Sequence, residues 1–159
     1  MKKKGANMQK IKKLIAVLLS VAMLLGTFTM LNADSVYAKG KKTYYSGNFL
    51  GKVKDVDRTG IISKVKFTKT KMTITGSLKK GNSRESAWDG KAKYCKKKKR
   101  TFKLAKNVKF YEAGGMAGEV KDTKSSFVNF CKQLNKNPNG LEFWFIVKNG
   151  KVTKVVISS

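Results

Sequence analysis

The chain has 159 residues, of which 36 are Lys or Arg and 9 are Asp or Glu, so its formal net charge is +27 at pH 7. It contains no histidine, which excludes any mechanism that depends on a histidine base, a histidine metal ligand or a histidine pH switch. Few carboxylates are available for a calcium site, and a chain of this length predicts one domain.

Residues 1–38 have the pattern of a secretory signal peptide. Six lysines and no acid in residues 1–13 precede an apolar run at residues 14–31. Val36 and Ala38 then match the small-residue pattern that signal peptidase accepts, which predicts cleavage after Ala38. An uncleaved membrane anchor is the alternative, since an apolar run of this length is close to the minimum for a membrane span. Whether the signal is always cleaved is left open.

Residues 39–159 are therefore predicted to form a single secreted β-rich domain, extracellular or associated with the cell wall and without a transmembrane segment after processing. Removal of residues 1–38 takes away six lysines and one aspartate, which leaves a net charge of +22. The charge is thus a property of the mature domain. Its aromatic content argues against intrinsic disorder despite this charge.

The first part of the mature chain predicts three strands. Apolar residues alternate through residues 43–56, and residues 57–60 (DRTG) are typical of a turn. Residues 61–67 alternate again, with Lys64 and Lys66 on the face opposite to the apolar residues. Residues 72–78 show the clearest alternation of a half-buried strand.

The following segment predicts a basic loop insertion around residues 80–101, before order resumes at Phe102. Residues 113–118 (AGGMAG) predict a flexible connection. A helix is indicated by Phe127, Phe130, Cys131 and Leu134, whose spacing places them on one apolar stripe.

Two apolar runs separated by Asn149-Gly150 predict a hairpin with a type I′ turn. With this turn, Val147 is expected opposite Val152, Phe145 opposite Lys154 and Trp144 opposite Val155. The alternation shifts along the second strand, which indicates either a bulge or burial of both faces.

This element order favours a mainly β fold with one helix, a small curled or closed OB-like barrel of five to seven strands that ends in the Asn-Gly hairpin. The segments SGNFLGKVKDVD and VKNGKVTKVVIS resemble small secreted bacterial OB-like proteins of unknown function. The resemblance implies the same fold and brings no catalytic residues with it.

The densest charge lies in residues 91–109, which hold ten positive side chains and no acid. Such a segment attracts polyanions, and aromatic residues beside it can stack on a base or a sugar. The predicted polyanion-binding residues are Lys91, Lys93, Lys96, Lys97, Lys98, Lys99, Arg100 and Lys103, with Tyr94 and Phe102 as stacking groups. The alternative is a solvated loop without a ligand.

Two cysteines in an exported chain permit one disulfide, here between Cys95 and Cys131. The alternative is a buried apolar Cys131 and a free thiol at Cys95. Two cysteines without histidine are too few for a metal site, so no metal and no cofactor are predicted. The scattered carboxylates show no catalytic constellation, and no enzyme activity is predicted.

The leading hypothesis is a secreted non-enzymatic protein that binds an anionic polymer such as teichoic acid, nucleic acid or an acidic glycan, or an anionic cell surface. The alternative is a protein-interaction or inhibitor module that uses the aromatic face of the hairpin, with Trp144 as its main contact. In that case the charge serves solubility or retention at the wall. The ligand and the oligomeric state are left open.

Overall fold

The computed structural model describes residues 40–159, so the predicted signal peptide lies outside the described residues. The elements are β1 (Lys42–Phe49), β2 (Ile61–Phe67), β3 (Lys71–Gly81), α1 (Arg84–Trp88), β4 (Lys93–Ala113), a 3₁₀ helix (Gly115–Ala117), β5 (Glu119–Asp122), α2 (Lys124–Lys136), β6 (Glu142–Lys148) and β7 (Lys151–Ser158). Within this part of the chain, no helix combines the length and the apolar character that a membrane span requires.

The strands close into a barrel, which confirms the predicted β-rich, OB-like fold class. Around the ring, β1 pairs with β6, β6 with β7, β7 with β4, β4 with β3, and β3 with β1. The β4–β7 pair is parallel and the others are antiparallel. The shorter strands β2 and β5 extend the sheet beside β3 and β4. Since the ring is closed, most of its backbone groups find partners within it.

The path of the first barrel strand is interrupted by residues 50–60. After this excursion the chain resumes in the same direction, so that Asn48 and Phe49 pair in parallel with Ile61 and Ile62. Asp55 holds the excursion in place by accepting hydrogen bonds from the amide of Thr59 (2.9 Å), from the amide of Gly60 and from the hydroxyl of Ser77. This carboxylate therefore shapes a turn.

The core lies inside the barrel and is closed at one end by α2. Phe127, Cys131 and Leu134 face inward from the helix and are buried, as the predicted stripe requires. Thr123 caps the helix by accepting a hydrogen bond from the amide of Ser126. Glycine is required at one place where strands approach closely: a Cβ on Gly76, whose φ is +150°, would lie 2.1 Å from the carbonyl oxygen of Ile61.

The hairpin is partly as predicted. Asn149 and Gly150 both have positive φ, as a type I′ turn demands, and Val147 pairs with Val152. The other two predicted pairs are wrong by one residue. A register shift beside Val147 places Phe145 opposite Val155 and Trp144 opposite Val156, so the bulge considered for this strand is present.

The predicted basic loop insertion around residues 80–101 is wrong. This segment contains the end of β3, all of α1 and the first nine residues of β4. The lysine-rich stretch is extended because β3 continues to Gly81 and supplies a partner strand. Tertiary pairing thus overrides the weak intrinsic preference of a lysine run. Strand β5 and helix α1 were also not expected.

Candidate polyanion-binding surface

Three neighbouring strands carry lysines on one outward surface of the barrel. Across β2, β3 and β4, Lys66 lies beside Thr73 and Lys64 lies beside Thr75, while β4 contributes the partners on the other side. We call this surface the lysine face; it consists of Lys64, Lys66, Lys71, Thr73, Thr75, Lys99, Thr101 and Lys103. Thr73 and Thr75 therefore lie at the centre of this surface, with Lys64 and Lys66 on the β2 side and Lys99 and Thr101 on the β4 side.

The orientation of the lysine face follows from the period of two in each strand. Val65, Met72 and Ile74 are buried, so the residues that alternate with them face outward. The hydroxyl oxygens of Thr73 and Thr101 lie 3.1 Å apart and join β3 to β4 on this side. All five lysines of the face are exposed.

Electrostatic repulsion between these lysines is not offset locally. Neither residues 61–83 nor residues 90–111 contain Asp or Glu. Neighbouring strands lie about 4.8 Å apart, and alternate residues in a strand lie about 6.7 Å apart. The Cα atoms of these lysines are therefore regularly spaced on the sheet. The summed electrostatic field of their charges favours an anionic ligand.

A β-bulge divides β4 into two parts, and the side chains at odd-numbered positions point to opposite sides of the sheet in the two parts. Lys96 and Lys97 together oppose Ser77, between the pairs Gly76–Lys98 and Leu78–Cys95. The bulge reverses which alternate positions face the core. Tyr94 and Phe102, which have the same parity in the sequence, therefore point to opposite sides of the sheet.

The predicted stacking role of Phe102 is wrong, because this ring belongs to the core. It makes edge contacts with Tyr45 (5.4 Å between ring centroids) and with Phe145 (4.9 Å). Tyr94 is half-buried, and the guanidinium of Arg58 lies 5.9 Å from the centre of its ring. Of the two predicted stacking groups, only Tyr94 faces outward.

Arg100 is also not free for a ligand, in contrast to the prediction. Its guanidinium donates hydrogen bonds to the carbonyl oxygens of Gly76 (2.9 Å), Lys98 (3.4 Å) and Lys96. These contacts stabilise the bulge, because they give hydrogen-bond donors to carbonyl groups that the irregular strand pairing leaves without a partner. Arg100 therefore stabilises the surface without belonging to its binding groups.

The predicted lysines divide into three groups along residues 91–103. Lys99 and Lys103 belong to the lysine face, whereas Lys96, Lys97 and Lys98 surround the bulge and are exposed. Lys91 and Lys93 line a cleft of about 400 Å³ at the other end, together with Lys41 and Lys80. The structure thus separates a run that looks continuous in the sequence.

The structure adds Lys64, Lys66 and Lys71 to the candidate site. The signal for them is present in the sequence, because the alternation in SKVKF and KMTIT places these lysines opposite the apolar residues. What the sequence does not show is that β2 and β4 flank the same strand, which brings their outward residues to one surface.

The two cysteines are free, so the disulfide considered from the sequence does not form. Cys131 is buried on the inner stripe of α2, while Cys95 lies in β4 opposite Leu78 and is only half-buried. Burial, with a smaller contribution from the negative charge of Glu112, raises the pKa of the Cys131 thiol well above its usual value. Cys131 therefore behaves as an apolar core residue.

The aromatic hairpin does not offer an accessible face. Trp144 is 4 % exposed, and it lies between the side chains of Arg84 and Lys154, whose charged groups are 5.0 and 5.1 Å from its ring. Phe143 and Phe145 are fully buried. The main contact residue of the protein-interaction alternative is therefore covered within the chain itself.

Within residues 40–159, no group of three or more His, Cys, Asp or Glu side chains is arranged so that it could hold a metal ion. Comparison of the chain with protein-family models, with curated proteins and with solved structures finds no match in any of the three. The geometry of the described residues is therefore the basis for a functional proposal.

Proposed function

We propose that the mature domain is a non-enzymatic binding protein that engages an anionic polymer through the lysine face. The observation that carries this proposal is the meeting of lysines from β2, β3 and β4 on one outward surface of a closed barrel. A rigid sheet holds charges at fixed spacing without the loss of backbone entropy that a loop suffers on binding.

The state of the arginines supports a diffuse mode of recognition. The mature chain has three, and each is engaged within the domain: Arg58 lies over Tyr94, Arg84 over Trp144, and Arg100 binds backbone carbonyls. The positive charge of the lysine face is therefore lysine alone, which acts as a point charge and lacks the bidentate geometry of a guanidinium. A polymer is thus held by its repeated charge more than by the details of its sequence.

The spacing of the charges on the lysine face also indicates the class of polymer. A chain with repeated phosphate, sulfate or carboxylate groups matches a two-dimensional array of ammonium groups, and the hydroxyls of Thr73 and Thr75 between them can donate hydrogen bonds to its oxygens. Teichoic acid, nucleic acid and acidic glycans all have this character. For a secreted domain, such polymers are the partners we propose.

The direct test compares two variants with the same net charge. The first carries Gln at Lys64, Lys66, Lys99 and Lys103 of the lysine face. The matched control carries Gln at four exposed lysines that do not pair with any residue of the lysine face, Lys52, Lys121, Lys132 and Lys136. Affinity for long-chain polyphosphate is measured by titration at low salt.

At about 0.5 kcal/mol for each exposed ion contact, four contacts amount to about 2 kcal/mol, or about thirtyfold in affinity. We expect a loss of this size in the lysine-face variant and a much smaller loss in the control. Equal losses in the two variants would show that only net charge matters, and the proposed surface would be wrong.

A further inference from the structure

A second site is formed where α1 meets the beginning of β6 and the end of β7. It is a cleft of about 1070 Å³, and no residue of the lysine face lines it. Three of the carboxylates of this very basic protein lie on its walls. The side chains that carry the argument are Asn48, Arg84, Glu85, Trp88, Asp89 and Glu142.

Glu142 lies in the wall of this cleft with an incomplete set of hydrogen bonds. It is 7 % exposed. Its Oε2 accepts a hydrogen bond from the hydroxyl of Ser158 (3.0 Å) and lies 3.8 Å from the guanidinium of Arg84. Its Oε1 has no hydrogen-bond partner among the described residues. A buried acceptor in this condition is costly, and a donor from a ligand in the cleft would remove the cost.

Trp88 provides a flat apolar surface at the same cleft, since it is 55 % exposed on the cleft wall. The helix that carries it is held firmly. Ser83 and Ser86 form a capping box at its start, and the hydroxyl of Ser46 in β1 donates to the carbonyl oxygen of Ala87 (2.8 Å). The exposed indole is therefore presented by an anchored element.

We propose that this cleft binds a neutral oligosaccharide, with one pyranose ring stacked on Trp88 and a hydroxyl donating to Glu142. Carboxylates only accept hydrogen bonds, the guanidinium of Arg84 only donates, and the amide of Asn48 does both. A hydroxyl group satisfies all of these. The carboxylates disfavour an anionic ligand, and the net charge of the whole domain disfavours a cationic one.

The size of the cleft agrees with this class of ligand. Its volume is slightly above the range for pockets that take drug-sized ligands, which leaves room for two or three sugar rings. The apolar face of a pyranose packs on an indole, while its edge carries the hydroxyls.

The test is titration of the protein with three neutral trisaccharides (cellotriose, maltotriose and triacetylchitotriose), followed by tryptophan fluorescence and calorimetry. We expect at least one of them to bind at millimolar concentration. Trp88→Ala should weaken that binding about tenfold, because an apolar contact surface is lost. Glu142→Gln should weaken it about fivefold, since a hydrogen bond to an ionised acceptor becomes one to a neutral acceptor.

The controls separate this site from the lysine face and from general damage. Glu119→Gln removes a carboxylate that pairs with Lys154 outside the cleft, and it should leave sugar binding unchanged, as should the lysine-face variant. Trp88→Phe keeps an aromatic surface and should retain most of the binding.

Three outcomes would overturn the proposal. One is that none of the trisaccharides binds. Another is that a cation such as trilysine binds to the cleft in place of the sugars. The third is that Trp88→Ala, folded by circular dichroism, binds the sugar as the natural protein does. None of these outcomes depends on the lysine face, so the polyanion proposal can stand or fall separately.

Discussion

At the scale of single residues, Glu142 is an ionisable side chain that is buried. Burial raises the pKa of its carboxyl group, and the hydrogen bond from Ser158 and the positive charges of Arg84 and Lys79 only partly offset this. A carboxyl with a raised pKa in the folded state stabilises the fold below its unfolded pKa of about 4.3, and this contribution is lost as the pH rises through the folded pKa.

Glu142→Gln is therefore expected to raise the melting temperature at pH 7, with the gain shrinking towards pH 4. The physical reason is that glutamine remains neutral where glutamate must ionise in a buried place. Thermal unfolding of both proteins across this range measures the difference. A gain that grows as the pH falls would contradict the expected sign, and Glu119→Gln controls for the loss of one negative charge.

The two cysteines are expected to differ in reactivity. The thiol of Cys131 is buried and its pKa is raised, so it offers almost no thiolate. A thiol reagent added to the folded, untreated protein should modify one thiol per chain, at Cys95, and the second only after unfolding. Mass spectrometry of the labelled peptides identifies the site. Absence of labelling before reduction would mean that a disulfide forms after all.

At the scale of elements, one side chain of α2 supplies the hydrogen bonds that join the helix to the backbone of β2. The amide of Asn135 accepts a hydrogen bond from the backbone N–H of Val65 and donates one to the carbonyl of the same residue, both at 2.7 Å. It thus takes the place of a neighbouring strand at the edge of β2. Since these backbone groups are partly buried, their loss is costly.

Asn135→Ala is expected to lower the free energy of unfolding by about 2 kcal/mol, the cost of leaving two such groups unpaired. Urea unfolding provides the measurement. The control is Asn129→Ala on the exposed part of the same helix, where the amide oxygen accepts a hydrogen bond from Lys132. If both variants lose the same small amount, the Asn135 contact is not what holds the helix to β2.

The elements also show what the sequence could and could not predict. Period-two alternation was sufficient for β2 and β3, the helical stripe for α2, and Asn149-Gly150 for the hairpin, because each is a local signal. The extended state of Lys93–Arg100 was missed because it depends on a partner strand that precedes it in the chain. The burial of Phe102 was missed because the bulge at Lys96 and Lys97 changes which alternate residues of β4 face the core.

At the scale of the whole molecule, the barrel carries a surface of lysines in one place and a cleft lined by carboxylates and Trp88 in another. The sequence showed that the protein is basic and that its charge is densest in residues 91–109. It could not show that Lys64 and Lys66 join Lys99 and Lys103 on one face, since this requires the sheet order. Nor could it show that three of the few carboxylates meet at the cleft beside Trp88.

The central claim is that specific lysines on one face contact the polymer. The most direct measurement is the slope of log affinity for polyphosphate against log salt concentration, which counts the counterions released by contacts with the polymer. Each contact contributes about 0.7 to this slope for a single-stranded polyanion. Loss of Lys64, Lys66, Lys99 and Lys103 should therefore reduce its magnitude by about 3.

The control variant with Gln at Lys52, Lys121, Lys132 and Lys136 has the same net charge and should keep the slope of the natural protein. That pair of results would place the contacts on the lysine face. If the slope of the lysine-face variant equals that of the control, the polymer does not bind where the three strands bring the lysines together, and the account is contradicted.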